Sequence, residues 1–328
     1  MLSTLLGFAR KIRRSAAFKD TVAAPKRFAV ARAQRANKGI FSVEIEAHSG
    51  FFAVMQSILF ILQYCDENNL YPDIVAKGGI YGEESRTIDW FGRLFDSVHR
   101  PPREIADRLV KRSDIHTSRI KGVEDLGFRS KYEMQLSLAA AAALFEKYFR
   151  PAPGVIVDVD SLCERLAISA STLAVHYRGT DKVHEIGAVP WPMMRDAVEK
   201  VSSMNSGLTR ILLASDDRAF IEFFQNSSFK IPVTLAPAAY MPKGATPIHF
   251  SGHPGLEIGR EALVTCLLLS RCGFLVKTSS YLSAWSKIIN PSLPTWLIAP
   301  PLSNASHFPD RALWLDQKQG KVDFDQKF

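Results

Sequence analysis

Hydrophobic and polar residues alternate over residues 41–47 (FSVEIEA), which predicts a β-strand with one buried face. The turn His48-Ser49-Gly50 follows it. AVMQSILFILQYCDENN then repeats apolar residues at the three- and four-residue spacing of a helix. DIVAKGG has the composition of a second strand. A strand, a turn, a helix and a strand in this order predict the opening unit of a doubly wound α/β domain.

The rest of the first half gives less regular patterns. The aromatic and charged stretch YGEESRTIDWFGRLFD (81–96) predicts a lid or an irregular insertion. YEMQLSLAAAAALFEKYFRP (132–151) predicts one helix that ends at its proline, since proline cannot continue a helix. Asp158 and Asp160 in GVIVDVD resemble a metal-binding pair, but the apolar residues around them recur every three or four positions. This spacing predicts that both carboxylates lie on the solvated face of a helix.

The second half shows a cleaner alternation of strand and helix patterns. The predicted strands are LAVHYRG, RILLAS, KIPVTLAP, GFLVKT and TWLIAP, and helical patterns follow the first four of them. Five such alternations with short connections predict a parallel sheet with helices on both faces. Ligands bind such sheets beyond the carboxyl ends of the strands, so polar residues at those ends are the candidates for function.

Length and charge divide the chain further. A chain of 328 residues is long enough for two domains, and we place them at residues 41–168 and 169–328 after a basic tail at 1–40. The formal net charge is +8, but residues 1–40 alone hold ten basic side chains and one acidic one. The remainder is nearly neutral, with 31 basic and 32 acidic side chains, which argues against a nucleic-acid partner.

The tail has apolar residues on one side of a possible helix over residues 2–12, followed by basic ones. A secretory signal has the opposite order, so this interpretation is rejected. A solvated terminus, peripheral contact of residues 1–38 with an anionic membrane and a targeting role remain open. The four cysteines show no CxxC pair and lie in apolar contexts, which predicts buried free thiols and a reducing, cytoplasmic location.

The first candidate site is HYRGTDKVHE, where an apolar strand changes into a charged turn around Gly179. A guanidinium is always charged and can bind two phosphate oxygens, so Arg178 suits the stabilisation of a phosphate or diphosphate, with Lys182 as a second cation. The alternative is an ion pair between Arg178 and Asp181 that only orders the turn.

Two further strand ends carry polar residues. Asp216 and Asp217 end RILLAS; helix capping is one interpretation of this pair, and a role in ligand contact or in orienting an arginine is the other. Ser279 and Ser280 end GFLVKT and begin a helix. Helix N-terminal amides and hydroxyls can hold a phosphate without a metal, and capping is again the alternative. We expect no metal ion and no other cofactor.

Three motifs resemble one family in order and spacing over residues 170–290. HYRGTDKVHE resembles the H-x-R-x-T-D-K segment of the α1,6-fucosyltransferases and of their nodulation and peptide O-fucosyltransferase relatives. LASDD resembles their A-T/S-D-D segment, and LLLSRCGFLVKTSSYLSAWSKI resembles their last motif. The resemblance implies two Rossmann-like domains that face a cleft, the GT-B architecture, and a GDP-sugar donor bound by the second domain.

The resemblance also implies residue roles. Arg178 matches the arginine that binds the donor β-phosphate, and His176 matches a residue near the guanine. Asp181 and Lys182 match polar residues of the same loop, and Glu185 matches the candidate base with a one-residue gap.

In the other motifs, Asp216 matches the first acid of its pair and Ser280 the phosphate-binding serine. The family acid that reads the guanine edge falls at Thr265, and the glycine-rich first turn is reduced to Gly50 and its neighbours. A threonine cannot accept both guanine N–H groups as a carboxylate does, so GDP is expected to outbind ADP and UDP by less than about a hundredfold.

The function that follows is transfer of a sugar, fucose, from a GDP-sugar to the hydroxyl of a glycan, lipid-linked or peptide acceptor, with inversion and without a metal. Two alternatives remain open: a non-catalytic nucleotide-sugar-binding protein of the same fold, and a basic-tailed scaffold whose body binds no nucleotide.

Overall fold

The computed structural model describes residues 39–83, 85–96, 109–116, 128–179, 189–240, 248–250, 252–300 and 308–320. Its strands are β1 (Gly39–Ala47), β2 (Leu70–Gly79), β3 (Phe95–Asp96), β4 (Leu109–His116), β5 (Arg150–Pro151), β6 (Thr172–Tyr177), β7 (Arg210–Ser215), β8 (Val233–Leu235), β9 (Phe274–Lys277) and β10 (Thr295–Leu297). Its helices are α1 (Phe51–Glu67), α2 (Phe91–Leu94), α3 (Phe128–Gln135), α4 (Leu138–Tyr148), α5 (Pro153–Leu166), α6 (Trp191–Met204), α7 (Arg218–Gln225), α8 (Gly255–Ser270), α9 (Tyr281–Ile289) and α10 (Asp310–Lys318), with a 3₁₀ turn at Ile248–Phe250.

The first half forms a three-stranded parallel sheet in the order β2-β1-β4. Phe41, Val43 and Ile45 of β1 are buried, and the residues between them are only half-buried, as the alternation predicts. The predicted strand–turn–helix–strand unit is therefore confirmed. Strand β4 lacks a hydrophobic pattern in its sequence, LVKRSDIH, which is why the sequence analysis does not identify it.

The second half forms a five-stranded parallel sheet in the order β10-β9-β6-β7-β8, which confirms the predicted parallel arrangement. Alternate residues of β6 enter different apolar clusters: Leu173 and Val175 pack with α6 and α7, whereas Ala174 faces the other cluster. Helices thus cover both faces of this sheet. The register pairs His176 with Ala214 and with Lys277, so the carboxyl ends of three strands meet at one edge.

One apolar core joins helices of both halves. The Phe52 ring of α1 lies 5.7 Å from the Trp285 ring of α9, and Phe149 lies 5.3 Å from the same indole. At the start of α8, a Cβ on Gly255 would lie 1.7 Å from the carbonyl oxygen of Ile80, so only glycine allows this approach of α8 to the end of β2. The first sheet and the helices of the second half therefore share buried apolar surface.

One prediction in the first half is wrong, and another holds in one of its two forms. Residues 132–151 form the end of α3 and the separate helix α4, because Ser137 interrupts the helix and caps α4 by accepting the Ala140 amide at 3.1 Å. The stretch 81–96 is irregular as predicted, but it is no lid: Tyr81, Trp90 and Phe95 are buried in the core.

The prediction for the acidic pair is confirmed, and the predicted burial of the cysteines holds for three of the four. Asp158 and Asp160 are exposed on α5, where they form ion pairs with Arg260 at 2.7 Å and Arg271 at 2.5 Å. All four cysteines are free thiols; three are buried and Cys163 is half-buried. Among the helices that the structure describes, none has the length and hydropathy needed to cross a membrane.

Candidate functional site

A cleft of about 650 Å³ lies at the carboxyl edge of the five-stranded sheet. Its floor comes from the ends of β6 and β7, and its walls come from the segment after β8 and from one face of α8. The lining residues are His176, Arg178, Ala214, Ser215, Asp216, Ala236, Pro237, Ala238, Tyr240, Ile248, Ile258, Glu261, Ala262, Thr265 and Leu282. Four residues predicted from sequence therefore meet here: His176, Arg178, Asp216 and Thr265.

The floor of the cleft holds an ion pair between Arg178 and Asp216. The guanidinium Nη1 lies 2.6 Å from Asp216 Oδ2, and the side chains are 16% and 11% exposed. The other carboxylate oxygen accepts the Gly179 amide at 3.1 Å, and the Arg178 amide donates to Thr278 Oγ1 at 2.9 Å. These contacts fix both the backbone and the direction of Arg178, in agreement with the arginine-orienting interpretation of Asp216.

The turn after β6 also depends on Gly179 and on Asp217, which lie next to each other. A Cβ on Gly179 would lie 2.5 Å from Asp217 Oδ2 and 2.7 Å from the Tyr177 ring, so the turn tolerates only glycine without a shift. Asp217 caps α7 by accepting the Phe220 amide at 3.1 Å, which confirms the capping interpretation for this residue. The two adjacent aspartates therefore have different tasks: Asp216 holds the arginine and Asp217 starts the helix.

His176 lies beside this ion pair in the floor of the cleft. The residue is buried, and its Nδ1 has no hydrogen-bond partner among the described residues. Burial, together with the charges of Lys277 and Arg178, lowers the pKa of His176 to about 3. The imidazole is therefore neutral near pH 7.

The buried imidazole predicts a specific loss of stability in acid. Between about pH 6.5 and pH 3 the unfolded chain takes up a proton that folded His176 does not, so the free energy of unfolding falls as pH decreases through this window. The expected contribution is up to about 1.4 kcal/mol per pH unit. In urea unfolding, the free energy of unfolding should fall less between pH 7 and pH 5 for His176→Gln than for wild type. His48→Gln is the control, and equal losses for wild type and His176→Gln would contradict the prediction.

The structure does not bring Ser279 and Ser280 to the cleft lining. The Ser279 hydroxyl donates to Asp310 Oδ2 at 2.9 Å, and the Ser280 amide donates to the same oxygen at 3.3 Å. Lys277 Nζ lies 2.5 Å from Asp310 Oδ1, and both of these side chains are buried. Burial lowers the pKa of Lys277 and raises that of Asp310. The start of α9 thus binds an anion as its sequence suggests, but the anion is a carboxylate from α10.

One face of α8 forms a wall of the cleft through Ile258, Glu261, Ala262 and Thr265. Glu261 is half-buried, and its Oε2 accepts the Ala239 amide at 2.8 Å. Burial raises the pKa of Glu261, and hydrogen bonds from the amides of Ala239 and Tyr240 partly oppose this rise. The sequence analysis does not identify Glu261, although its position four residues before Thr265 places both on the same helical face.

Of the remaining predicted residues, the structure describes only Gly50. Gly50 precedes α1, where its carbonyl accepts the Ala53 amide at 2.9 Å, and it is not part of the cleft lining. Asp181, Lys182 and Glu185 lie outside the described residues. Within the described ranges, no group of three or more His, Cys, Asp and Glu side chains has the arrangement of a metal site.

Comparison with known proteins gives matches only among solved structures: no family model and no curated protein matches the chain. The structure of NodZ α-1,6-fucosyltransferase co-crystallised with GDP has a TM-score of 0.54 at 16% identity, covering 77% of this chain and 93% of that chain. Fucosyltransferase NodZ from Bradyrhizobium has a TM-score of 0.55 at 16% identity, covering 77% and 94%. The likeness confirms the predicted resemblance at the level of the fold: the chain is an α/β protein with the fold of these fucosyltransferases.

Proposed function

We propose that this protein is a glycosyltransferase that moves fucose from GDP-fucose to an acceptor hydroxyl, with inversion and without a metal ion. The observation that carries the proposal is the position of Arg178, which is held by Asp216 in the floor of the cleft. The fold supports the proposal, because the NodZ structures include one with GDP and one soaked with GDP-fucose.

In the proposed reaction, Arg178 binds the β-phosphate of the donor. The acceptor oxygen bonds to the anomeric carbon as the bond from that carbon to the diphosphate oxygen breaks, and the electron pair leaves with the diphosphate. A guanidinium carries five N–H donors, so Arg178 can hold both Asp216 and a phosphate oxygen. Its attraction to the diphosphate strengthens as negative charge develops there. A preorganised cation of this kind can replace a metal ion in the stabilisation of the leaving group.

The acceptor proton must go to a base, and we propose a carboxylate of the segment after Arg178. Glu185 is the first candidate and Asp181 the second. The cleft-lining carboxylates that the structure describes are engaged: Asp216 with Arg178 and Gly179, and Glu261 with Ala239. Protonation of Asp216 would remove the charge that holds Arg178.

GDP is expected to raise the melting temperature of the full chain in buffer that contains EDTA, because a ligand that binds only the folded state stabilises it. At a hundredfold excess over Kd the stabilisation is about 2.7 kcal/mol. GMP lacks the β-phosphate and should stabilise the protein much less. Arg195→Ala, which removes an arginine of α6 that does not line the cleft, should leave the GDP effect unchanged.

Equal melting temperatures with and without GDP would contradict the proposed donor site. Nucleotide binding with no transfer to any acceptor and no slow hydrolysis of GDP-fucose would instead identify the protein as a nucleotide-sugar-binding protein without catalytic activity. An absence of binding by every nucleoside diphosphate would favour the scaffold alternative.

A further inference from the structure

Glu261 is a cleft carboxylate to which the proposed mechanism gives no task. It lies one helical turn before Thr265 on the face of α8 that lines the cleft, and it is half-buried. Glu257, one turn earlier still, is exposed and does not line the cleft. Because desolvation of a carboxylate costs free energy, a half-buried one in a cleft wall requires hydrogen-bond donors.

Among the described residues, two backbone amides supply donors to Glu261, and His253 adds a favourable charge interaction. The Ala239 amide donates to Oε2, and the Tyr240 amide also faces the carboxylate. These contacts attach Glu261 to the segment 236–240, whose first amide donates to the Leu213 carbonyl of β7 at 2.8 Å. A carboxylate has about four lone-pair positions on its two oxygens. Glu261 can therefore hold this wall and accept N–H donors from a ligand at the same time.

The strand order separates this carboxylate from the phosphate end of the cleft. Arg178 follows β6, and residues 236–240 follow β8, with β7 between them. Two strand spacings amount to about 10 Å. In a nucleoside diphosphate the β-phosphate and the base lie at opposite ends of the molecule. A diphosphate on Arg178 therefore directs the base toward the wall that Glu261 and Thr265 form.

Base chemistry then selects the partner of Glu261. Guanine has two adjacent donors, N1–H and the 2-amino group, on one edge, and a carboxylate can accept both. Adenine places an acceptor nitrogen beside its amino group, and uracil places carbonyls on both sides of its single N–H. Both of these bases would set an acceptor against the carboxylate oxygens.

We propose that Glu261 selects a guanine nucleotide by accepting N1–H and the 2-amino group, a role that the sequence alone would assign to position 265. This proposal rests on the proposed function. It reverses the expectation drawn from Thr265, so that GDP should outbind ADP and UDP by more than about a hundredfold. A site built around a polar contact strongly rejects ligands that leave its buried groups unpaired.

Calorimetry on the full chain with GDP, IDP and ADP tests the proposal. IDP keeps N1–H but lacks the 2-amino group, so wild type should bind GDP best, IDP at least tenfold more weakly and ADP most weakly. Glu261→Gln keeps an acceptor for the Ala239 amide but cannot accept both guanine donors, so it should lose at least tenfold in GDP affinity and most of the GDP preference over IDP. Glu257→Gln on the same helix is the matched control and should behave as wild type.

Two results would overturn the proposal. Equal binding of GDP, IDP and ADP by wild type would do so without any variant, and it would leave the proposed function standing if Arg178→Ala abolished binding of all three. Unchanged GDP affinity in Glu261→Gln, with loss only in Glu261→Ala, would make Glu261 a positioning residue for the segment 236–240. If wild type bound no nucleoside diphosphate at all, the proposed function and this inference would both fail.

Discussion

Replacing Arg178 by alanine is expected to lower the rate of sugar transfer by about a hundredfold to a thousandfold and to weaken donor binding in the same variant. The guanidinium is 16% exposed, so its interaction with a phosphate is screened less than at an open surface. Its direction is fixed before the donor arrives, because Asp216 holds Nη1 at 2.6 Å and the Arg178 amide is held by Thr278. A preorganised cation needs little rearrangement as charge develops on the leaving diphosphate.

Arg178→Lys should recover only part of the lost rate, since an ammonium cannot reproduce the bidentate geometry of a guanidinium. The transfer rate of Asp216→Asn should lie between those of wild type and Arg178→Ala. The asparagine oxygen can still accept the Gly179 amide, but the ion pair with Arg178 is lost. Steady-state kinetics with GDP-fucose and calorimetry with GDP provide the rates and affinities. Arg195→Ala serves as the control. An Arg178→Ala enzyme with wild-type kcat and only a raised KM would show that Arg178 binds the ground state and the transition state equally.

The second sheet was predictable from sequence because its three central strands are mostly apolar. Every residue of β6 and β9 is buried, and the helices between the strands have helical spacing of apolar residues. In the first half, β4 could not be found because LVKRSDIH mixes charged and apolar residues, and its place beside β1 depends on pairing that sequence periodicity does not encode. Ser137 divides a helix-forming run because its hydroxyl accepts the Ala140 amide, a contact that competes with continuation of the helix.

The site residues that belong to a motif at a strand end were predictable from sequence. Those whose place depends on long-range contacts were missed. Arg178 and Asp216 were both identified from their motifs, but their ion pair follows from the adjacency of β6 and β7. Asp310 belongs to no motif, and it reaches Ser279 and Lys277 across about thirty residues of chain. The same chemistry that suggested a phosphate at Ser279 is therefore satisfied within the protein. Glu261 was missed because it belongs to no motif, although its spacing from Thr265 puts both on one face of α8; its contact with Ala239 is a long-range one.

The described cleft residues that could accept a proton already have partners or a lowered pKa. A base must approach the acceptor hydroxyl and accept its proton as the bond to the sugar forms. Among the described cleft residues, Asp216 is held by Arg178, and Glu261 accepts the Ala239 amide. His176 is a poor proton acceptor, because its pKa is lowered to about 3. The resemblance in sequence supplies the candidates instead: it implies Glu185 as the base, with Asp181 as the next candidate.

Glu185→Gln is expected to retain donor affinity and to lose about two to four decades of turnover. The amide is nearly isosteric with the carboxylate, but it cannot take up the acceptor proton. A base contacts the acceptor rather than the diphosphate, so GDP binding by calorimetry should match that of wild type, in contrast to Arg178→Ala. Glu199→Gln, at an exposed glutamate of α6, is the control. Transfer at a near wild-type rate by Glu185→Gln would exclude this residue as the base, and Asp181→Asn would then be expected to show the loss.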